Sequence, residues 1–368
     1  MRAVITVLDS INPTTMPYNE FILYRDKRYS DEKQILLLTG REISVPRSDI
    51  PDSLEIHSVG KNPLKIRREL KSILNGVREK GDTYIIHLHS IRGAFSTFVA
   101  MTGLMKDAPT VYTVHSTFTG FKLHNKILSF CDAMLSNYVT CVSETSYKAF
   151  PKLPRKLKGH RMLKICNGVN TERIDAFVKE SAIHKRDDDR VSFVYVARLI
   201  PIKNHKFLID VIAKTNTRCK FIFVGLEDNA HSVRKYAEEK GVIDRIVFTG
   251  VVPRKKVYEI LRKADVYIST STLEGLPVSV LEGMYCGLPT ILSDIPQHRE
   301  IAGGAAFIPL VGFDADVWAD TINDFCNMTH DDRNAIAEKC RNLAKQRFSL
   351  NSMHRNYDVI YQKIESRY

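Results

Sequence analysis

An alternation runs through this chain from Ala3 onward and narrows its possible folds more than any other feature. Short β-branched apolar runs are separated by longer stretches with helical periodicity. That is the pattern of βαβ units, in which crossover helices cover a parallel sheet. In the first half, strands are expected at Ala3–Asp9, Gln34–Leu38, Leu54–His57, Tyr84–His89, Thr110–His115 and Tyr138–Ser143. In the second half they are expected at Val191–Ala197, Cys219–Val224, Arg245–Thr249, Val266–Ser269, Thr290–Ser293 and Ala306–Pro309. Most are near-continuous apolar runs, as burial on both faces requires. Helices are expected to include Leu64–Lys80, Ile127–Leu135, Asn204–Lys214, His231–Lys240, Arg254–Ala264 and Ser279–Cys286. The tail from Asp314 to Tyr368 reads as three more.

A length of 368 residues suits two domains. The break is expected near residue 170. Pro151, Pro154, Lys156, Lys158 and Gly159 mark an irregular stretch, Asn167-Gly168 is a turn signal, and Asp187–Asp189 reads as a solvated loop before the strand at Val191. Two doubly wound sheets would place a ligand at the carboxyl ends of their strands. Trp318 is read as a helix-packing residue.

The net charge of +12 points to anionic partners: nucleic acid, anionic membrane or phosphorylated ligands. It is uneven. Residues 1–170 hold 25 basic and 15 acidic side chains, and the remainder holds 29 and 27. Lys61–Lys80 and Phe121–Lys164 carry most of the excess. The seven cysteines include no Cys-x-x-Cys pair, so no zinc or disulfide framework is readable. Cys141, Cys219 and Cys286 read as small core residues, which fits a reducing cytosol. No secretory signal and no spanning apolar run are visible, so the expected location is cytoplasmic, with room for peripheral membrane contact.

Two clusters could carry chemistry. The first is Ser271–Asp294, with Glu274 before a helix and Glu282 inside it. Eight helical residues rise about 12 Å, the span of an extended nucleotide sugar. Gly275-Leu276-Pro277 opens that helix, with Pro277 expected at its first position and free amides able to hold a phosphate or sugar hydroxyls. Taken alone, the spacing is better explained by two solvated glutamates on a strand–loop–helix unit. The second cluster is Val194–Asn204. Arg198 follows the second domain's first strand and Lys203 opens the next helix. Two cations there could clamp a diphosphate and stabilise charge on a leaving group, although exposed cations are common in so basic a chain.

Arg-x4-Lys-Asn followed by Glu-Gly-Leu-Pro-x4-Glu resembles the carboxyl domain of retaining GT-B glycosyltransferases of family 4, the group 1 glycosyltransferases. Phe248-Thr249-Gly250, Gly287-Leu288-Pro289-Thr290 and Asn167-Gly168-Val169 fit the same pattern, and the likeness is specific over residues 165–310. The resemblance implies an α/β GT-B fold of two Rossmann-like domains facing across a cleft, with C-terminal helices crossing back. Residues 1–170 plus 351–368 would bind the acceptor and 171–350 the donor. It implies that Arg198 and Lys203 hold the donor diphosphate, that Glu282 holds the ribose, and that Glu274 approaches the transferred sugar. Gly275 and Leu276 would hold that sugar through backbone amides, and Gly250 lies where the base is met. His115 resembles the family's sugar-contacting histidine. His89 and the Ser143-Glu144 pair are weaker candidates. Where many members carry a Gly-Gly loop, this chain has Asp9-Ser10-Ile11-Asn12-Pro13-Thr14.

The implied activity is retaining transfer from a UDP- or GDP-sugar to a saccharide or lipid-linked acceptor in polysaccharide, lipopolysaccharide or glycolipid synthesis. No cofactor and no metal are called for, and His-Glu-x-x-His is missing. A nucleotide-sugar epimerase on the same architecture is an alternative. A basic nucleic-acid or membrane module is a remoter one, because RNA-binding motifs are lacking and no nucleic-acid partner is expected. Leu64, Ile66, Leu70, Ile73, Leu74 and Val77 form an apolar stripe flanked by Lys65, Arg67, Arg68, Lys71 and Arg78. The stripe could face a core or rest on an anionic membrane.

Overall fold

The computed structural model describes residues 1–12, 15–40, 43–103, 108–180, 190–215, 219–226 and 230–366. The expected loop at Asp187–Asp189 and the residues Pro13 and Thr14 lie outside them. The chain divides into two compact units, Met1–Cys166 with Asn351–Tyr368, and Asn167–Leu350. The division falls between Cys166 and Asn167 rather than after residue 170.

The first unit is built on seven strands: β1 (Arg2–Leu8), β2 (Glu32–Leu38), β3 (Glu55–Ser58), β4 (Thr83–Leu88), β5 (Thr110–Val114), β6 (Tyr138–Cys141) and β7 (Met162–Lys164). Their order is β3-β2-β1-β4-β5-β6-β7, and neighbouring strands run parallel. The second sheet uses β8 (Ser192–Val196), β9 (Lys220–Val224), β10 (Ile246–Gly250), β11 (Val266–Ser269), β12 (Thr290–Ser293) and β13 (Leu310–Val311), in the order β10-β9-β8-β11-β12-β13. Each sheet is a doubly wound arrangement, and its order reverses beside its own first strand. In such sheets ligands bind outside the carboxyl ends of the two strands flanking the reversal. In the second unit those strands are β8 and β11.

The apolar runs behave as their sequence requires. All but the first residue of β1 are buried, as are all of β5, β6, β11 and β12. The helix Pro63–Glu79 is capped by Asn62, whose side chain accepts from Leu64 N at 2.9 Å. Ile66, Leu70, Ile73, Leu74 and Val77 face the core, but Leu64 does not join them: it is 75% exposed. Its place in the first turn, beside the cap, takes it off the buried stripe. Trp318 is buried in the helix Ala315–Asn327 and donates its Nε1–H to Gly312 O at 2.7 Å. Cys141 and Cys219 are buried, whereas Cys286 is only half-buried at the end of its helix.

The last helix, Leu350–Glu365, belongs almost wholly to the first unit. Buried Arg25 donates Nε to Glu32 at 2.8 Å and Nη2 to Asp358 of this helix at 2.8 Å. Arg2 grips Glu365 in bidentate fashion at 2.8 and 2.6 Å. Tyr361 meets His87 at 2.7 Å inside the sheet's face. Charged pairs with shared hydrogen bonds of this kind fix the tail in one place rather than merely covering the sheet.

Candidate active site

Arg198 lies two residues beyond β8 and is exposed. A 3-10 turn, Pro201–Lys203, then delivers Lys203 to the start of the helix His205–Lys214. The two are joined by Asn204 in the left-handed conformation (φ 57°, ψ 38°), the single non-glycine residue with positive φ among the described residues. Asparagine tolerates that region better than most side chains. Gly225, after β9, presses against the Arg198 loop. A Cβ there would lie 2.1 Å from Ala197 O, so no larger residue fits (φ 152°).

Glu274 sits in the loop after β11, and Lys203 Nζ donates to its Oε1 at 2.5 Å. The two loops are stitched together at their bases. Thr272 N donates to Ile202 O at 2.8 Å. The Tyr195 hydroxyl donates to Lys203 O at 2.9 Å and meets Ser271 Oγ at 2.7 Å. Burial pushes the Tyr195 phenol far above its usual range, so it stays a donor. The ion pair is thus held at the carboxyl ends of β8 and β11, where the sheet order reverses.

Beneath it lies a polar network that no sequence motif announces. Ser293 Oγ donates to Ser271 O at 2.5 Å. With that hydrogen committed, His298 Nδ1 must be the donor to Ser293 O at 2.9 Å and Oγ at 3.1 Å. Burial drops the His298 pKa to about 4, so the ring is neutral. No periodicity marks His298 or Ser293 as connected to Glu274; the link exists only once β12 lies beside β11.

The helix after Glu274 runs Val278–Tyr285, so Pro277 is its N-cap and not its first helical residue. Its ψ of 109° is extended, which keeps the Glu274–Pro277 segment out of the helix. No side chain caps this helix, and Leu276 O accepts from Asn167 Nδ2 at 3.0 Å. Gly283 lets the helix lie on Tyr267; a Cβ would come within 2.3 Å of that ring. Glu282 is buried. Its Oε1 accepts from Arg254 Nη1 at 2.7 Å and Tyr258 Oη at 3.1 Å, with Arg173 Nη2 at 3.6 Å. Arg254, Tyr258 and Arg173 are invisible to motif reading because they come from two other helices. Gly250 ends β10 at φ 66°, and its carbonyl accepts from Gly225 N at 3.1 Å.

In the first unit, His89 and His115 follow the ends of β4 and β5. They come together, His89 Nδ1 lying 2.8 Å from His115 Nε2. Ser143 is fully buried and caps the helix Glu144–Ala149, accepting from Ser146 N at 3.0 Å. Glu144 pairs with Lys148 and Lys164 at 3.4 and 3.5 Å. At the end of β1, Asp9 Oδ1 accepts from Thr39 Oγ1 at 2.9 Å and Ser90 Oγ at 3.2 Å. That carboxylate stands where many members of the resembled family carry a Gly-Gly loop.

The family model for glycosyl transferases, group 1, matches residues 176–346. The chain is 27% identical over 319 residues to Bacillus subtilis EpsF, provisionally named a glycosyltransferase, covering 82% of this chain and 78% of that one. It is 27% identical over 228 residues to one component of the phosphatidylinositol N-acetylglucosaminyltransferase of Arabidopsis thaliana. That match covers 59% of this chain and only 48% of the relative. Among solved structures, Anabaena HepE in complex with UDP and glucose shares the fold, with a TM-score of 0.75 at 18% identity over 98% of this chain and 99% of that one. The fold is therefore GT-B, and the matches favour sugar transfer over epimerisation. The family match spans most of the unit that holds Lys203, Glu274 and Glu282, and over those residues the chain is similar to the group 1 glycosyltransferases.

Proposed function

We propose that the protein is a retaining hexosyltransferase that moves a sugar from a nucleotide-diphosphate sugar to an acceptor hydroxyl without a metal ion. The observation that carries this reading is the Lys203–Glu274 pair, held where the second sheet reverses its order. Lys203 has three donors, and Glu274 takes one, so two remain for phosphate oxygens. Arg198 supplies a planar fork for the same diphosphate. Together they stabilise the negative charge that grows on the leaving group. Glu274 accepts hydroxyls of the transferred sugar, and the amides of Gly275 and Leu276 hold it. Glu282, fixed through Oε1 by Arg254 and Tyr258, offers Oε2 to the ribose. The backbone at Gly250 meets the base, and His115 is read as a sugar contact. The acceptor oxygen bonds to the anomeric carbon as the bond to diphosphate breaks on the same face. The leaving phosphate oxygen takes both the electron pair and the hydroxyl proton.

A UDP-sugar is the first donor to test, given the UDP and glucose bound by HepE. A lipid-linked saccharide acceptor fits both the named phosphatidylinositol relative and the basic first unit. It places the reaction in cell-surface polysaccharide, lipopolysaccharide or glycolipid synthesis at the cytoplasmic membrane face, and co-sedimentation with anionic vesicles tests that location.

A melting screen of nucleotide diphosphates and their sugars identifies the donor, because a bound ligand raises the midpoint by mass action. With that donor, Lys203→Ala lowers kcat by about 10²–10³-fold, the usual cost of losing one charge-stabilising donor. Glu282→Ala acts mainly on donor KM. Near-wild-type kinetics in both variants would sink the assignment.

A further inference from the structure

The two histidines of the first unit form a dyad whose proton positions can be worked out. His89 Nδ1 and His115 Nε2 face each other at 2.8 Å, with ring centroids 5.1 Å apart and planes 25° from parallel. Burial and the neighbouring histidines hold His89 well below the usual imidazole range, and burial lowers His115 to about 4. Both rings are therefore neutral near pH 7, with one N–H proton each, and one of those two protons lies between the facing nitrogens. Two arrangements satisfy this. If His115 carries its proton on Nε2, then His89 must carry its own on Nε2. That atom is buried without a partner, in a ring whose centroid lies 3.9 Å from that of His87 and 5.1 Å from that of Phe21. The result is an orphaned N–H. If His89 instead carries its proton on Nδ1, its Nε2 holds only a lone pair. His115 then carries its proton on Nδ1. A buried acceptor left unpaired is tolerated more often than a buried donor.

We propose that His89 is a positioning residue that fixes His115 in the Nδ1–H tautomer, so that the half-buried His115 ring offers a hydrogen-bond donor to an oxygen of the transferred sugar. This rests on the reading of His115 as a sugar contact. A ring held in one tautomer by a partner on its far side distinguishes a lone pair from a hydroxyl proton. His89 thus governs which sugar oxygens His115 can recognise, although it touches no substrate itself.

Nitrogen-15 NMR of the full chain with labelled histidine reads the tautomer directly, without any ligand. The expected spectrum shows His115 with a protonated Nδ1 and a bare Nε2. The opposite pattern in the wild type overturns the proposal. His89→Asn keeps an N–H where Nδ1 stands, whereas His89→Leu removes it. With the UDP-sugar that most raises the melting midpoint, His89→Leu should lower the rate of UDP release about tenfold or more, a common cost of losing a hydrogen bond that orients an imidazole. His89→Asn should recover most of that loss. If His115→Ala is crippled while a folded His89→Leu is not, the positioning role fails and the sugar contact survives. If His115→Ala itself behaves as wild type, the sugar contact fails. Should His89→Leu not fold, the wild-type spectrum still decides.

Discussion

Asp132 shows how far a single residue can depart from its type. It lies in the helix Leu123–Leu135, fully buried, with neither carboxylate oxygen bonded. Burial alone raises its pKa to about 8. An acid whose folded value exceeds its unfolded one holds its proton longer in the folded state. Its contribution to stability is complete below about pH 4 and is lost as pH rises through about 8. The unfolding midpoint of the wild type should therefore fall between pH 5 and 8.5 relative to Asp132→Asn, whose side chain does not titrate. Thermal melts followed by circular dichroism at the two pH values check this, and parallel curves would contradict it. Nothing in the sequence around Asp132 announces burial, since a lone aspartate on a helix is ordinarily solvated. Lys203 and Glu274, by contrast, were legible because the loops that carry them adjoin strands with obvious apolar runs.

At the scale of elements, the long buried strands were readable and the edges were not. β7 is three residues inside a lysine-rich stretch, and β13 is two residues, Leu310–Val311, not the Ala306–Pro309 run that its apolar content favoured. Edge strands this short are fixed by register with β6 and β12, which periodicity cannot sense. The helix boundary at Asn204 is of the same kind. Apolar spacing starts the helix at Asn204, yet that residue stands outside it in the left-handed region and turns the chain between Lys203 and His205. Asn204→Gly should melt close to the wild type, because glycine adopts this conformation freely. Asn204→Val should lose about 1–2 kcal/mol, the cost of forcing a β-branched residue into it. It should also weaken nucleotide-sugar binding, because Lys203 is the residue just before the turn. Calorimetric melts and donor titrations on the two variants separate these effects.

The whole molecule carries its excess charge in the first unit, and the structure shows which surface displays it. The helices Pro63–Glu79, Ile91–Met101 and Leu123–Leu135 pack side by side in one layer, and Lys152–Lys158 packs against the last of them. On these helices Leu64, Leu123, Ile127, Leu153 and Leu157 are exposed. Lys65, Lys122, Lys126, Lys152 and Lys156 lie beside them in the chain. The sequence indicated a basic half but attached the apolar stripe to the first helix, where it turned out to face the core. The exposed leucines became visible only once packing had consumed the others. No helix among the described residues is long and apolar enough to cross a membrane. A basic side chain near an anionic surface contributes about 1 kcal/mol, and salt screens it. The protein should therefore co-sediment with phosphatidylglycerol vesicles at low salt, bind phosphatidylcholine far less, and release as salt rises. Replacing Lys152 and Lys156 together by alanine should cost about 2 kcal/mol of partitioning. Replacing Leu123 and Ile127 by aspartate should weaken binding that high salt leaves behind, because apolar insertion is not screened. No enrichment on anionic vesicles at low salt would remove the membrane from the proposal and leave the basic surface to a soluble anionic acceptor.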